Sequence, residues 1–462
     1  MREAARSLVF GAVAACLLLW VALYNGYPTV YPDTASYIYT GAFHIPLPPF
    51  RSPGYSVFIA RTSFGASPWF TIVAQAIAVV AALYEACKYL VGGSARFRDH
   101  CLLAIAAALA ALTSLPWFTS LLMPDVFAGV AFLALFLLGF EARLHWAERI
   151  ALAAIATLAV GAHISLMPIA MLFVAAVAIV KLVRRLPPWT PSAKAMLPWL
   201  AAPLVIAGLW TAQLNRSMAL GFRLSPSGDE YLMGRLLEDG LAGDFLRANC
   251  PNRSFAACRY LNDLPKTPEQ FLFWHPLLSE MELNGNEVHE VAWGTLAAYP
   301  VRFAWNSTRH TLRQFVQLRT GDEVRGLALG APNGTGTMIQ RVFPRDAATY
   351  ANSKLIRGRL VSPTKVAAVV DAAAFWLSAL ACIIFAVQRR QGKWNWLFYS
   401  AIAYLFFNAA VCATLAGVYD RYQSRVAWLI PLCLAICLCE RYAGGTHEVG
   451  VAKTAGAEIA AN

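Results

Sequence analysis

Asp33 stands directly after the first apolar run of the chain, in Tyr31-Pro32-Asp33-Thr34-Ala35-Ser36-Tyr37. A carboxylate at a membrane surface can take a proton from an attacking hydroxyl. Followed by Thr34-Ala35-Ser36, it could also open a short surface helix as its N-cap. Arg51 comes next, in Pro48-Pro49-Phe50-Arg51-Ser52-Pro53-Gly54-Tyr55, where three prolines and a glycine stiffen the loop and aim the guanidinium. Its planar fork suits a phosphate; an ion pair with Asp33 or a lipid headgroup is the plainer role. In Leu122-Met123-Pro124-Asp125-Val126 a second carboxylate sits at the outer end of an apolar span. An intramembrane acid is functional by default, although a helix start after Pro124 would also explain it. His163, in Gly161-Ala162-His163-Ile164-Ser165, could bond a phosphate or sugar, or serve packing alone. Neither spacing nor a nucleophile turn makes a triad with Ser165. In Tyr419-Asp420-Arg421-Tyr422-Gln423-Ser424-Arg425, two arginines among tyrosines could anchor at the lipid interface or hold a lipid phosphate.

The elements that must position these groups are membrane helices. The 462 residues are 58% hydrophobic and only 14% charged, with mean hydropathy +0.51, against about 25% charged in soluble domains. The reading is an all-α polytopic membrane protein. Ten spans are expected, roughly 8–27, 69–91, 101–117, 120–140, 147–163, 165–183, 195–214, 366–388, 394–416 and 425–441. The first is expected to be a span rather than a cleaved signal peptide. The net charge of +12 collects at Arg2 and Arg6, Arg96 and Arg98, Arg143 and Arg149, Lys181 to Lys194, and Arg389 to Lys393. These short loops read as cytoplasmic, so the charge is a topology signal and argues against nucleic-acid binding. Both termini then fall in the cytoplasm.

The chain divides into an N-terminal membrane region 1–214 with an outer loop 28–68, an extracytoplasmic domain 215–365, a membrane region 366–441 and a cytoplasmic tail 442–462. Within the outer domain, residues 291–316 read as an amphipathic helix pair on the membrane, with Arg302, Arg309 and Arg313 on the wet side. Cys250 and Cys258 are expected to form a local disulfide, while the other cysteines fall in or beside apolar spans. No His or Cys set has metal-ligand spacing. Asn252, Asn306 and Asn333 open glycosylation-type triplets of low specificity.

The order of these motifs resembles the GT-C class of integral-membrane glycosyltransferases. Tyr31-Pro32-Asp33 with Tyr37 looks like the acidic first outer loop of that class, and Arg51-Ser52-Pro53-Gly54-Tyr55 like its Arg-Pro-Pro-Gly-Tyr segment. Met123-Pro124-Asp125 is similar to its second acidic motif, Arg421-Tyr422 with Pro431 to the opening of a late span, and Ala298-Tyr299-Pro300-Val301-Arg302 to an interfacial helix. The resemblance implies transfer of a sugar from a polyprenyl-phosphate donor to an envelope lipid, glycan or protein. Asp33 would be the base and Asp125 would share or orient. Tyr37, Arg51, Tyr55, His163, Arg421, Tyr422 and Arg425 would bind substrate. A divalent metal is optional in the class. The Ala- and Arg-rich composition points to a bacterial inner membrane. The alternatives are a transporter or scaffold for envelope lipid or polysaccharide, or another lipid-phosphate enzyme.

Overall fold

The computed structural model describes residues 2–48, 50–183, 189–321, 334–388 and 392–443. Pro49, Arg184, Arg185, Asn333, Arg389, Arg390 and the tail from 444 lie outside the described residues. In chain order the main helices are α1 (Arg2–Leu18), α2 (Thr34–Phe43), α3 (Pro53–Thr62), α4 (Pro68–Leu90), α5 (Ala95–Leu112), α6 (Phe127–Phe140), α7 (Trp146–Ala162), α8 (Leu166–Val183) and α9 (Ala193–Ser217). Then come α10 (Gly228–Glu238), α11 (Leu241–Asn249), α12 (Leu277–Leu283), α13 (Glu287–Ala298), α14 (Pro300–Phe315), α15 (Thr335–Val342), α16 (Val361–Gln388) and α17 (Lys393–Leu415). The last, α18, spans Asp420–Ala443. Among the described residues the only β pairing is an isolated bridge between Thr29 and Leu121.

Six helices, α4, α8, α9, α16, α17 and α18, are long and apolar enough to cross a membrane. The other four expected spans fall short by length or charge. The first ends at Leu18 and resumes as a separate turn, Trp20–Asn25. In α5, Arg96, Arg98 and Asp99 occupy the first two turns, and Asp99 accepts from Arg6 Nε at 2.7 Å and Ser7 Oγ at 2.9 Å. Pro124–Phe140 and α7 have 17 residues each.

The bundle is built around α6. Every residue from Phe127 to Phe140 is buried, as expected of a helix apolar on all sides. Two glycines permit the closest approaches. A Cβ at Gly129 would lie 2.2 Å from the Trp428 ring, so α18 seats its indole directly on α6. A Cβ at Gly54 would lie 2.3 Å from the Gly161 carbonyl oxygen, which fixes the start of α3 against the end of α7.

The described residues of 215–365 do not share one core. Leu232, Leu236, Leu241, Phe245, Phe271, Leu277 and Val291 share a core of their own. Leu318, Met338, Ile339, Phe343, Tyr350, Leu355 and Leu360 join the main bundle core instead. Cys250 and Cys258 are joined as a disulfide in the smaller body, and no other disulfide occurs among the described residues. The expected amphipathic pair is two helices broken at Tyr299-Pro300. On α14, Arg302, Arg309 and Arg313 are exposed, but so are Val301, Trp305 and Leu312.

Candidate active site

Two distant loops are stitched together to bring the carboxylates near one another. Thr29 N–H donates to Ser120 C=O at 2.9 Å, and Leu122 N–H donates to Thr29 C=O at 2.8 Å. Thr34 Oγ1 accepts from Tyr31 N–H and donates to Leu122 C=O. Asp33 therefore makes no side-chain cap for α2; the threonine beside it secures the turn. Its carboxylate is left for other work.

That work is shared among three guanidiniums. Arg51 Nη2 lies 2.8 Å from Asp33 Oδ1. Arg421 Nη2 lies 3.9 Å from Asp33 Oδ2, and its Nε lies 3.8 Å from Asp125 Oδ1. Arg425 Nη1 stands 3.4 Å from Asp125 Oδ1, with both side chains fully buried. The cluster thus holds three cations against two carboxylates. Arg51 Nε and Arg421 Nη1 are buried and have no hydrogen-bond partner among the described residues. Buried donors of this kind are costly when left unmade. The net positive charge of the cluster suits an anion.

Supporting contacts fix each arginine. The Arg421 guanidinium stacks over the Tyr31 ring at 4.2 Å. Arg51 packs beside the Tyr231 and Phe273 rings. Arg425 donates through Nε and Nη2 to Asn408 Oδ1, at 3.2 and 2.8 Å, and through Nη2 to Ser165 Oγ at 2.9 Å. Asn408 Nδ2 in turn donates to the Tyr422 carbonyl at 2.6 Å. From α14, Gln314 clamps Tyr419 at both backbone groups, each bond 2.9 Å. Asn408, Gln314, Ser165 and Tyr31 were not among the sequence candidates. A polar Asn in the middle of an apolar helix was the available signal for the first of them.

His163 Nδ1 accepts from Ser165 N–H at 3.1 Å and pairs with Ser165 Oγ at 2.8 Å. The proton of the neutral ring then sits on Nε2, which makes that nitrogen a donor. Ser165 Oγ is held between Arg425 and His163, with no carboxylate paired to that histidine among the described residues.

A cavity of about 590 Å³ opens on this cluster. Asp33, Tyr37, Arg51, His163, Arg421 and Tyr422 line it. Met167, Pro168 and Met171 of α8, and Val411 and Leu415 of α17, form an apolar wall. Met171 and Leu415 are themselves exposed, so that wall reaches the surface of two helices long and apolar enough to cross a membrane. Asp229, Tyr231 and Trp293 of the outer body close the other side.

Three candidates do not reach the cavity. Asp125 has no exposed surface and faces the arginines. Arg425 is equally buried behind Ser165. Tyr55 is buried against the Tyr37 ring and donates its hydroxyl to Gln75. Tyr37 lies at the wall, and burial pushes its phenol well above the ordinary tyrosine range. Among the described residues, no group of three or more His, Cys, Asp or Glu is placed to hold a metal ion.

Beside the cavity, Glu230 leaves Oε2 buried and unpartnered. Burial pushes its pKa up to about 7; Ser227 opposes this through a hydrogen bond, and the Glu282 and Asp229 charges add to it. The folded state therefore binds more protons than the unfolded chain between the ordinary value, 4.5, and about 7. Stability falls as pH rises through that window, and the full cost is present above it. Glu230→Gln is expected to stabilise the outer body by about 1–2 kcal/mol at pH 8, after allowing for solvent screening, and by nothing at pH 4. Thermal unfolding of both proteins at the two pH values checks this; an equal gain at both would deny the ionisation.

Comparison with protein-family models, curated proteins and solved structures finds no match to this chain. The functional reading rests on the geometry above.

Proposed function

We propose that the chain is a membrane glycosyltransferase of the GT-C type, moving a sugar from a polyprenyl-phosphate donor at the outer face of a bacterial inner membrane. The shorter helices α1, α5, α6 and α7 complete about ten spans, with both termini in the cytoplasm. One observation carries the reading: Asp33, Arg51 and Arg421 line one cavity whose apolar wall reaches the surface of the membrane-spanning helices.

The donor's chain lies along α8 and α17, and its phosphate sits between Arg51 and Arg421. His163 Nε2 adds a neutral donor at the same wall. An acceptor hydroxyl attacks the anomeric carbon from the far side, and the carbon–oxygen bond to the phosphate breaks with inversion. The hydroxyl proton passes to Asp33. The leaving phosphate gains negative charge as the bond breaks, and fixed guanidiniums act most strongly where charge develops. Arg51, shared between Asp33 and the phosphate, couples the two events. Asp125 is a positioning residue: it holds Arg421 and Arg425, and through Arg425 it sets Ser165 and His163.

Arg51→Ala is the direct test of the phosphate site. In inverted or reconstituted vesicles, it should raise the donor concentration giving half-maximal turnover by about tenfold or more. The dependence on acceptor should hardly change. Equal loss on both sides would assign Arg51 to structure instead.

A further inference from the structure

The outer body presents a polar and aromatic cluster to the same cavity. Asp229 begins the first turn of α10, and Trp293 projects from α13. Trp293 Nε1 donates to Asp229 Oδ1 at 3.0 Å, and His289 Nδ1 lies 2.9 Å from Asp229 Oδ2. The His289 and Trp293 ring centroids are 6.0 Å apart. Trp293 is 51% exposed, and the side chains of His289 and Asp229 are 57% and 42% exposed. Asp229 and Trp293 line the cavity that Asp33 also lines, and His289 stands exposed beside them.

A half-exposed indole held by its own N–H offers part of an apolar face with a polar edge. A packing tryptophan would bury that face, and a lipid anchor would not need a carboxylate on its nitrogen. The chemistry that matches is a polyhydroxylated ring. Its C–H face covers the indole, and its hydroxyls reach the carboxylate and the imidazole. Each Asp229 oxygen already serves one protein donor and has capacity for a further one.

We propose that Asp229, His289 and Trp293 form the acceptor subsite, and that the acceptor there is a sugar ring of an envelope glycan rather than a polypeptide or a bare lipid headgroup. The assignment rests on the glycosyl-transfer reading for its role, since it places an acceptor hydroxyl between the outer body and Asp33. It also separates the functions of the cavity walls: lipid and phosphate on the bundle side, glycan on the outer side.

The test needs no donor. The full chain in nanodiscs is titrated with methyl α-mannopyranoside, methyl β-galactopyranoside and a mannotriose, read by saturation-transfer NMR. At least one should bind the native protein in the millimolar range, and Trp293→Ala and Asp229→Asn should each weaken it about tenfold. Trp293→Phe, which keeps an aromatic face, should retain more binding than Trp293→Ala and guards against a folding defect. Absence of binding to the native protein, or binding that survives Trp293→Ala, overturns the subsite. A separate failure, in which Asp33→Asn keeps full transfer, would overturn the proposed reaction while leaving a Trp293-dependent sugar site standing.

Discussion

Asp33→Asn is expected to lower glycosyl transfer by about 10²–10⁴-fold, the usual contribution of a positioned general base. The substitution keeps size and shape but removes the negative charge, and with it the ability to take a proton at pH 7. The fold should survive it, because Thr34, not Asp33, holds the turn to Leu122. Arg51 would lose an ion pair but keep its place beside Tyr231 and Phe273. The signature is therefore a fall in turnover at saturating donor, with unchanged expression and unchanged melting temperature in detergent. Asp33→Glu should recover part of the rate. A variant with normal turnover would leave Asp33 as a counter-ion for Arg51 and Arg421 and nothing more.

The second large effect is on stability. Asp125→Ala leaves Arg425 fully buried and Arg421 nearly so, without the carboxylate between them. Removing one partner of a buried ion pair typically costs about 3–5 kcal/mol. Asn408, Ser165 and Cys412 still contact Arg425, which places the expected loss toward the lower end of that range. Arg425→Met alone should cost less, since Asp125 keeps Arg421. The double variant Asp125→Ala with Arg425→Met should cost clearly less than the sum of the two single changes, because Arg425 is then no longer stranded and Arg421 keeps Asp33. Strict additivity in a thermal or denaturant series would mean that the pair is not energetically coupled. The double variant should also show impaired transfer despite its recovered stability, since Ser165 and His163 lose the guanidinium that orders them.

Much of the cavity lining was legible in the residues themselves. Asp33, Arg51, His163 and Arg421 all interrupt apolar runs at span ends, where a charge or imidazole is conspicuous, and all four line one cavity. What the linear pattern could not separate was facing the cavity from backing it. Asp125, Arg425 and Tyr55 sit in the same kinds of motif, yet pairing and packing turn them inward. The helices carry the same lesson. Hydropathy marks where apolar runs lie, but it does not register the break at Leu19 or the use of Asp99 to tie α5 to Arg6. The sequence reads 215–365 as a single extracytoplasmic domain. Its second half, around Met338, Tyr350 and Leu360, returns to the bundle core through contacts with residues far away in the chain. Gln314 was equally out of reach, because its role depends on Tyr419 meeting it in space, whereas Asn408 showed itself only as a polar residue in an apolar helix.

Mass spectrometry of envelope glycolipids and glycans bears most directly on the central claim. Cells lacking the chain would be rescued with the native protein or with Asp33→Asn at matched expression. The account predicts that a sugar disappears from one envelope component, that its polyprenyl-phosphate form accumulates, and that only the native protein reverses both. An unchanged profile, or equal rescue by the two proteins, would contradict it and favour a transport or assembly role.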